Sequence, residues 1–229
     1  MVPALARRAE EELNLSEQAY LKIKHKILQN IYPGGFQVLE DTLSEDLGMS
    51  RTPLKEALVR LVNDGLIEIL PRRGMRVLPL TARDIAEIYE VLSPLELLAA
   101  RLLAERKDNN ASVKALQAEV DQMKRALAAD DLDVWAVADE RFHRALVDET
   151  GNTRLAASAR NLLDQSQRFR MFTLRLRVKP VRSTRNHEAL VASIRKHDAE
   201  KAVSDHAAHR ANWHEYMTEL MKKFGIRHI

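Results

Sequence analysis

Apolar residues near position 50 recur at helical spacing on both sides of a break. Leu43 and Leu47 lie on one side of a short helical segment, and Gly48 follows as a residue that commonly ends a helix. Ser50 stands where a new helix would begin. The next segment repeats apolar residues every three or four positions, at Leu54, Ala57, Leu58, Leu61 and Val62. This pattern predicts two helices joined by a tight turn.

The segment that follows these helices predicts a β-hairpin. Apolar residues at 66–69 and 75–78 flank the sequence PRRG at 71–74, and proline and glycine are typical of turns. An amphipathic helix is predicted before both elements, from Ser16 to about Asn30. Together these elements predict a winged helix–turn–helix domain.

Cationic residues of the predicted second helix and of the hairpin turn lie away from the apolar face. Between positions 51 and 76 there are six basic and three acidic residues, although residues 1–80 carry eleven of each. A cationic helix that follows a tight turn is the arrangement that enters the major groove of DNA. The residues predicted to contact DNA are Arg51, Thr52, Lys55, Arg60, Arg72, Arg73 and Gly74. The alternative is a winged helix that makes only protein contacts.

Helical periodicity continues after about Leu80, without strand signals. Six segments are predicted to be helices: 82–106, 112–129, 132–149, 153–177, 183–196 and 199–224. Their short connections predict antiparallel neighbours. The predicted fold is mostly α, with a flexible segment over 1–14, a winged helix–turn–helix domain over 15–80 and an all-α antiparallel helical domain over 81–229.

Composition narrows the classes of function. The chain has 229 residues, a formal net charge of +3 and 30% charged residues, so any DNA affinity must come from local placement of charge. It contains no cysteine, which excludes disulfides and leaves nitrogen and oxygen as metal ligands. There is no apolar run near twenty residues and no signal-peptide pattern, so we expect a cytoplasmic protein without membrane contact.

Polar residues with metal-binding chemistry lie on predicted inward faces of the second domain. Asp139 and His143 are four residues apart on one helix, so their side chains share a face. His187 lies on the apolar stripe of the next-to-last helix, and His206 and His209 share a face of the last one. A carboxylate and three imidazoles suit a divalent transition ion. A histidine on such a face can also be a hydrogen-bonded core residue, so the pattern alone leaves the metal site open.

The string SRTPLKEALVRLVNDGLIEILPRRGMRV resembles the DNA-binding domain of GntR-family bacterial transcription regulators. The resemblance covers about residues 16–78, where helix, turn and wing occur in the same order. A single winged helix rarely makes enough contacts for specificity, so we expect a homodimer on a palindromic operator in double-stranded DNA. The resemblance further suggests a repressor that a metabolite releases from DNA.

Two later motifs resemble the FadR-type carboxy-terminal ligand-binding domain, called FCD. The segment DERFHRALVDETGNTRL is similar to its D-x-x-x-H-x-x-L…G-N-x-x-L signature, and NHEALVASIRKHDAEKAVSDHAAHRANW to its closing motif. The resemblance covers about residues 82–222. It implies one divalent transition metal per chain, held as in the metal-binding subgroup by Asp139, His143, His187 and His209. His206 is a neighbour and an alternative ligand, and the donor set favours zinc or nickel over magnesium.

A cationic stretch without acidic residues runs from Gln165 to His187. Most of its seven basic residues are expected to be solvated surface charges. Arginine pairs bidentately with carboxylates, so one or two of these basic residues could hold a small carboxylate effector in a cavity of the second domain. Arg168 and Arg175, seven residues apart on one predicted helix face, are the predicted effector-binding pair.

Two positions depart from the pattern of the relatives. Many relatives carry an effector-binding arginine near the middle of the first helix of the second domain. This chain has Leu92 or a neighbour there, and Pro94 is expected to interrupt the helix. Asp41 stands where a fatty-acid-responsive relative has a DNA-contacting arginine. The effector and the operator of this protein are therefore not inferred from those of its relatives.

Three classes of function fit parts of this pattern. The first is a ligand-responsive transcription factor, which both resemblances favour. The second is a metalloenzyme, since Glu140 and His143 form an E-x-x-H that could belong to a di-iron site. That site needs a second E-x-x-H, but the residues three before His187, His206 and His209 are not acidic. The third is an architectural DNA-binding protein, which the inward polar groups disfavour. The sequence predicts a regulator rather than an enzyme.

Overall fold

A computed structural model describes residues 13–226 and 228–229, with His214 described through its backbone alone. Most of the segment predicted to be flexible, residues 1–14, lies outside the described residues. The chain divides into two compact units with a boundary between Leu80 and Thr81, and the last two residues belong to the first unit. This boundary lies where the strand periodicity of the sequence stops.

Three helices and a three-stranded sheet form the described part of the first unit. The helices are α1 (Leu15–Leu28), α2 (Glu40–Leu47) and α3 (Arg51–Asn63). The strands are β1 (Gln37–Val38), β2 (Ile67–Leu70) and β3 (Gly74–Val77), in the order β1-β3-β2 with antiparallel pairing. The predicted winged helix–turn–helix is confirmed. The sheet also contains β1, which was not predicted, because a strand of two residues is too short to show a periodic pattern.

Local sequence explains where these helices begin and end. The side-chain oxygen of Asn14 accepts a hydrogen bond from the Glu17 N–H at 2.8 Å, so α1 begins just before the predicted Ser16. Gly48 ends α2 in the left-handed conformation, with a φ of 63° that glycine adopts without steric cost. Ser50 stands at the start of α3 as predicted, but its side chain makes no capping hydrogen bond. The tight turn therefore depends on Gly48.

Apolar side chains from the three helices and the sheet form the core of the first unit. Ile23 and Ile27 of α1, Leu43 of α2, and Leu54 and Leu58 of α3 are each at most 1% exposed. Burying one face of α3 against this core contributes about 1.5–3 kcal/mol for each large side chain. The packing fixes the rotation of α3, and its polar face is left exposed.

Six helices make up the described part of the second unit. They are α4 (Ala82–Glu105), α5 (Asn110–Ala128), α6 (Leu132–Asp148), α7 (Thr153–Thr173), α8 (Val181–Arg195) and α9 (Ala199–Lys223). Each lies within a few residues of its predicted range, so the predicted all-α architecture is confirmed. Among the described residues, none of the helices combines the length and the apolar character that a membrane span requires.

Helix α4 lies at the centre of the second unit, because it packs against α6, α7, α8 and α9. Pro94 lies inside α4 without interrupting it, which corrects the sequence prediction. Pro94 and Glu90 are both exposed, so the Glu90 carbonyl that lacks its intrahelical partner lies on the solvent side. The continuous helix carries Glu96 into the centre of the unit.

Helix α7 ends at Thr173, earlier than the predicted end near Arg177. The Thr173 hydroxyl lies 2.9 Å from the carbonyl oxygen of Phe169 and 3.3 Å from that of Arg170, within the last turn of the helix. Residues 174–180 form the connection to α8. Arg175 and Arg177 therefore lie on this connection and not on the helix.

Candidate DNA-binding surface and metal centre

The polar face of α3 presents residues that were predicted to contact DNA. Arg51, Thr52 and Lys55 are exposed at the amino-terminal end of this helix. Helix–turn–helix proteins contact base edges with this end of the second helix. The structure therefore places these three predicted contact residues together at the exposed amino-terminal end of α3.

Arg51 forms an ion pair with Asp41 of α2, with 2.8 Å between Arg51 Nη2 and Asp41 Oδ1. Their side chains are 67% and 62% exposed, so water screens the pair and DNA can compete for the guanidinium group. Asp41 is the position at which the sequence departs from an arginine-bearing relative. Its carboxylate orients the arginine that is predicted to read a base.

Arg60 makes a different contact from the other cationic residues of α3. Its guanidinium group pairs with Glu17 of α1 and lies over the Tyr20 ring, 3.9 Å from the ring centre. The hydrogen bond with Glu17 raises the pKa of Arg60 above its usual value. The structure therefore places Arg60 in the packing of α1 against α3, and not beside Arg51 and Lys55.

The hairpin turn exposes two of its three predicted DNA-contacting residues. Arg72, with a φ of 62°, and Arg73 are exposed at the tip. Gly74 is buried instead, and a Cβ at this position would lie 2.1 Å from the carbonyl oxygen of Val38. Its φ of +78° also favours glycine. Gly74 therefore allows β1 to approach β3, and only the arginines are presented at the tip.

Three of the predicted metal ligands lie close together in the second unit. Asp139 and His143 lie on α6, and His187 lies on α8. One ligand atom from each lies within 4.8 Å of the others, and all three side chains are buried. His187 Nε2 lies 3.0 Å from Asp139 Oδ1, and His143 Nε2 lies 3.9 Å from the same oxygen. The structure groups three of the four predicted ligands.

Packing between α6 and α8 fixes the orientation of these ligands. The indole N–H of Trp135, four residues before Asp139, donates a hydrogen bond to Thr184 Oγ1 at 2.9 Å. Phe142 stacks on the His187 ring, with 4.3 Å between the ring centres. A buried hydrogen bond and a buried ring contact thus fix α6 against α8. The packing of these helices therefore sets the positions of the predicted ligands.

His206 and His209 lie on neighbouring turns of α9, and both are buried. The His209 ring centre lies 5.0 Å from that of His187, and His209 lines the same small cavity as Asp139. His206 Nε2 lies 3.4 Å from a carboxylate oxygen of Glu96 instead. The cavity therefore favours His209 over His206 as a fourth ligand.

Glu96 is a residue of this centre that the sequence analysis missed. It is fully buried and pairs with Arg210 of α9. Its Oε1 lies 2.9 Å from His143 Nδ1. Arg210 Nη2 lies 3.1 Å from the same nitrogen and can only donate, so Glu96 as an acceptor and Arg210 as a donor compete for Nδ1. When Glu96 accepts the Nδ1 proton, the imidazole is oriented and its Nε2 is available to an ion.

Three of the predicted ligands and three arginines line one small cavity. We call it the inner cavity, and its lining consists of Trp135, Asp139, His143, Arg170, Arg177, Ser183, His209, Arg210 and Trp213. Its volume is about 10 Å³, close to the space that one water molecule needs. The inner cavity is therefore too small for a whole metabolite, and only one end of a ligand could enter it.

Arg170 and Arg177 present hydrogen-bond donors to the inner cavity. Arg170 Nε lies 3.3 Å from Asp139 Oδ2, while its two terminal nitrogens are buried and have no hydrogen-bond partner in the described part of the chain. The Arg177 guanidinium lies over Trp135 and Trp213, 5.3 and 4.9 Å from the ring centres. Buried donors without acceptors are costly, which favours a ligand that accepts hydrogen bonds.

The predicted effector pair, Arg168 and Arg175, does not line the inner cavity. Arg168 is buried within α7, and burial lowers its pKa to about 10. Arg175 is exposed and pairs with Asp133 at 2.8 Å. Arg170 and Arg177 have the same seven-residue spacing two positions later. Two residues turn a helix by about 200°, so Arg168 and Arg170 lie on different faces of α7, whereas Arg175 lies beyond the end of that helix.

Comparison with known proteins assigns both units to families. The family of bacterial regulatory proteins called gntR matches residues 15–77, and the FCD domain family matches residues 87–212. The chain belongs to the GntR family. It is a GntR-type transcriptional regulator with a carboxy-terminal FCD domain, as the two sequence motifs suggested.

Individual relatives agree with this assignment. The GntR regulator is 46% identical over 134 residues to an HTH-type transcriptional regulator of Agrobacterium vitis from the TAR-I ttuE-ttuC' intergenic region. The aligned residues cover 56% of this chain and 77% of that protein. This chain is 28% identical over 182 residues to the gluconate operon transcriptional repressor of Bacillus subtilis, spanning 77% and 74%. The structure of E. coli McbR/YncC shares the fold, with a TM-score of 0.79 and 21% identity, over 93% of this chain and 99% of that one.

Burial determines the protonation of three histidines of this GntR regulator, His143, His206 and His209. It lowers the pKa of His143 to about 3, with Arg210 adding to the effect and Glu96 opposing it. Burial also lowers the pKa of His209 well below its usual value and lowers that of His206. These imidazoles are therefore neutral near pH 7, which is the form that binds a metal ion.

The two carboxylates of the centre remain ionised. Burial acts to raise the pKa of Glu96, but the charge of Arg210 and the contacts with His143 outweigh it and hold the pKa well below its usual value. Burial likewise acts to raise the pKa of Asp139, and the hydrogen bond with His187 and the charges around it lower that pKa overall. The carboxylate is thus available as a metal ligand.

We expect mild acid to destabilise the metal-free regulator. The pKa of His143 is about 3 in the folded protein and 6.5 ordinarily, so below pH 6.5 the unfolded chain takes up a proton that the folded chain does not. The free energy of unfolding is therefore highest above pH 6.5 and decreases as the pH drops towards 3. One such imidazole lowers it by about 1 kcal/mol near pH 5.5. The carboxylates contribute only at lower pH, because their ordinary pKa values are about 4.

Thermal unfolding with a chelator present measures this effect. Wild type should lose several degrees between about pH 7 and pH 5.5, and His143→Asn should lose less. His25→Gln changes an exposed histidine of the first unit and serves as the control. An unfolding temperature that is equally pH-dependent in wild type and His143→Asn would contradict the assignment.

Proposed function

We propose that this regulator is a repressor that binds its operator as a homodimer and releases it when a small carboxylate binds at the metal centre. One observation carries the proposal. The buried ligand set of Asp139, His143 and His187 lies beside Arg170, whose terminal nitrogens lack partners among the described residues. Such a centre can hold a cation and an anion together. The proposal assigns no enzymatic reaction to the protein.

The donor set fits zinc or nickel better than magnesium. Imidazole nitrogens with a single carboxylate are ligands that borderline transition ions prefer, whereas magnesium prefers oxygen. Asp139, His143 and His187 would hold one divalent ion per chain, with His209 as the fourth ligand and His206 as the alternative. The ion would supply a positive charge and an open coordination position for an anion.

The charges of the centre favour an anionic effector. Asp139 and Glu96 face three guanidinium groups, those of Arg170, Arg177 and Arg210, which leaves one positive charge in excess. A divalent ion raises the excess to three. Uncompensated buried charge is costly, and a carboxylate that binds the ion and a guanidinium group compensates it. Arg170 and Arg177 thereby take the role first predicted for Arg168 and Arg175.

Regulation requires that the effector bind one arrangement of the dimer better than the other. Residues from α6, α7, α8, α9 and the 174–180 connection line the inner cavity, so a ligand that displaces Arg170 or Arg177 alters how these elements pack. We expect a coupling free energy of about 1–3 kcal/mol between effector and operator. The regulator would act in the cytoplasm, where a bacterial operator is found.

Exposed apolar residues on α4 support the homodimer. Val91 and Leu98 are seven residues apart on one face of this helix and are 54% and 42% exposed. A second copy would bury them and would place two winged helices on a palindromic site. The name of the gluconate operon repressor describes repression by that relative, and it supports repression rather than activation by this regulator.

The DNA-binding part of the proposal predicts a specific loss. Arg51→Ala should weaken binding to the cognate operator by about 1–3 kcal/mol if Arg51 reads a guanine, because a bidentate contact is removed. Fluorescence anisotropy with an operator selected from random DNA by the wild-type protein measures this loss. Arg83→Ala removes an exposed arginine of α4 and should bind like wild type. Wild-type affinity for Arg51→Ala would refute the contact.

Mass spectrometry of the intact, undenatured protein tests the assembly. Protein purified without chelator and offered zinc or nickel should appear as a dimer with one ion per chain, because all four proposed ligands belong to one chain. Chelation should remove the ions and lower the unfolding temperature, since metal binding to the folded state adds stability. A monomer, or a dimer without ions, would contradict the proposal.

A further inference from the structure

A second cavity adjoins the inner cavity and is much larger. We call it the outer cavity, and its volume is about 180 Å³. It shares Arg177, Ser183, His209 and Trp213 with the inner cavity. Its remaining polar lining residues are Lys179, Arg182, Asn186, Asn212 and Tyr216. The shared residues form a boundary where a ligand could extend from one cavity into the other.

The inner cavity is large enough for only one end of an effector. About 10 Å³ accommodates one terminal group near Asp139 and His143, so the body of any carboxylate must lie outside it. The outer cavity is the adjoining space, and His209 lies on its lining. A ligand anchored at the metal centre would therefore place its other end in the outer cavity.

Unsatisfied donors lie at the boundary of the two cavities. Arg177 Nε and Nη2 and Trp213 Nε1 are buried and have no hydrogen-bond partner within the described residues. Asn186, on the lining of the outer cavity, contacts His209 Nδ1 at 2.9 Å. The boundary therefore offers donors to oxygen atoms in the middle of a ligand.

The lining of the outer cavity is cationic. Lys179 and Arg182 line it, and its lining contains no acidic residue among the described ones. Lys179 also pairs with Asp130 on the surface, at 2.7 Å, whereas Arg182 is exposed at the start of α8. A second negative group in the outer cavity would be attracted by both cations.

We propose that the effector is a short dicarboxylate that spans the two cavities. One carboxylate lies at the metal centre, in the role assigned under the proposed function on which this inference rests. The second lies in the outer cavity near Arg182 and Lys179. Oxygen atoms at the boundary accept hydrogen bonds from Arg177 and Trp213. Arg182 thereby selects dicarboxylates over monocarboxylates of equal length.

Isothermal titration of the metal-loaded, full-length protein tests this selection. Succinate and glutarate are compared with butyrate and valerate, which have the same chain lengths and one carboxylate. We expect the dicarboxylates to bind at least about tenfold more tightly, because they compensate more of the excess positive charge. Arg182→Gln should weaken dicarboxylate binding about fivefold and leave monocarboxylate binding unchanged.

The matched control is Arg185→Gln, which removes an exposed arginine of the same helix that does not line the outer cavity. It should bind both ligand classes like wild type. If mono- and dicarboxylates bind equally well, or if Arg182→Gln weakens both equally, carboxylate control stands and the spanning dicarboxylate is wrong. If none of the four ligands binds, the proposed effector class fails and this inference fails with it.

Discussion

Replacing Glu96 by alanine should lower the free energy of unfolding of the second unit by about 3–5 kcal/mol. Glu96 is fully buried and pairs with Arg210, which is itself 6% exposed. Without the carboxylate, the guanidinium charge of Arg210 remains buried without its partner. His143 also loses the carboxylate that lies 2.9 Å from its Nδ1. The loss should be among the largest of any single substitution in the chain.

Denaturant unfolding of the metal-free protein measures this effect and separates it from metal binding. Glu90→Ala, an exposed position on the same helix, is the control and should stay within about 0.5 kcal/mol of wild type. A double variant, Glu96→Leu with Arg210→Met, should recover most of the loss because it removes both buried charges. A Glu96→Ala protein as stable as wild type would show that Arg210 does not need this carboxylate.

The position of Glu96 shows what the sequence could have revealed. Glu96 continues the inward stripe of α4 after Ile85 and Leu92, and a carboxylate on an apolar stripe is the signal that was overlooked. Helical periodicity alone places Glu96 inside, but it does not name Arg210 as its partner.

Local patterns predicted most of the fold. Gly48 ended a helix where expected, and Asp139 and His143 share a face because residues four apart on a helix always do. Contacts between distant helices were not predictable in this way. The pairing of Arg210 with Glu96 joins residues far apart in the chain, and Arg177 lies on an irregular connection whose course no periodicity describes.

Removal of a metal ligand should abolish both metal retention and the effector response. His187→Gln replaces a fully buried imidazole that contacts Asp139 at 3.0 Å, so the ion would lose one of its three grouped ligands. Intact-protein mass spectrometry should then show a dimer without metal. Operator affinity should no longer respond to carboxylates, because the effector loses the ion that anchors it.

Two histidines on α9 provide a matched pair for this prediction. His209→Ala should lose metal like His187→Gln, since His209 lines the inner cavity. His206→Ala should retain it, since His206 contacts Glu96 and does not line that cavity. The reverse outcome would contradict the choice of His209 as the fourth ligand. Far-ultraviolet circular dichroism of each variant establishes that loss of metal is not loss of fold.

The most direct test of metal-dependent regulation is a titration of succinate, glutarate, butyrate and valerate against operator binding. The titration is carried out on metal-loaded protein and on metal-stripped protein that circular dichroism shows to be folded. We expect at least one carboxylate to weaken operator binding of the loaded protein by about 1–3 kcal/mol and to leave the stripped protein unchanged. An equal shift in both forms, or no shift in either, would contradict the account.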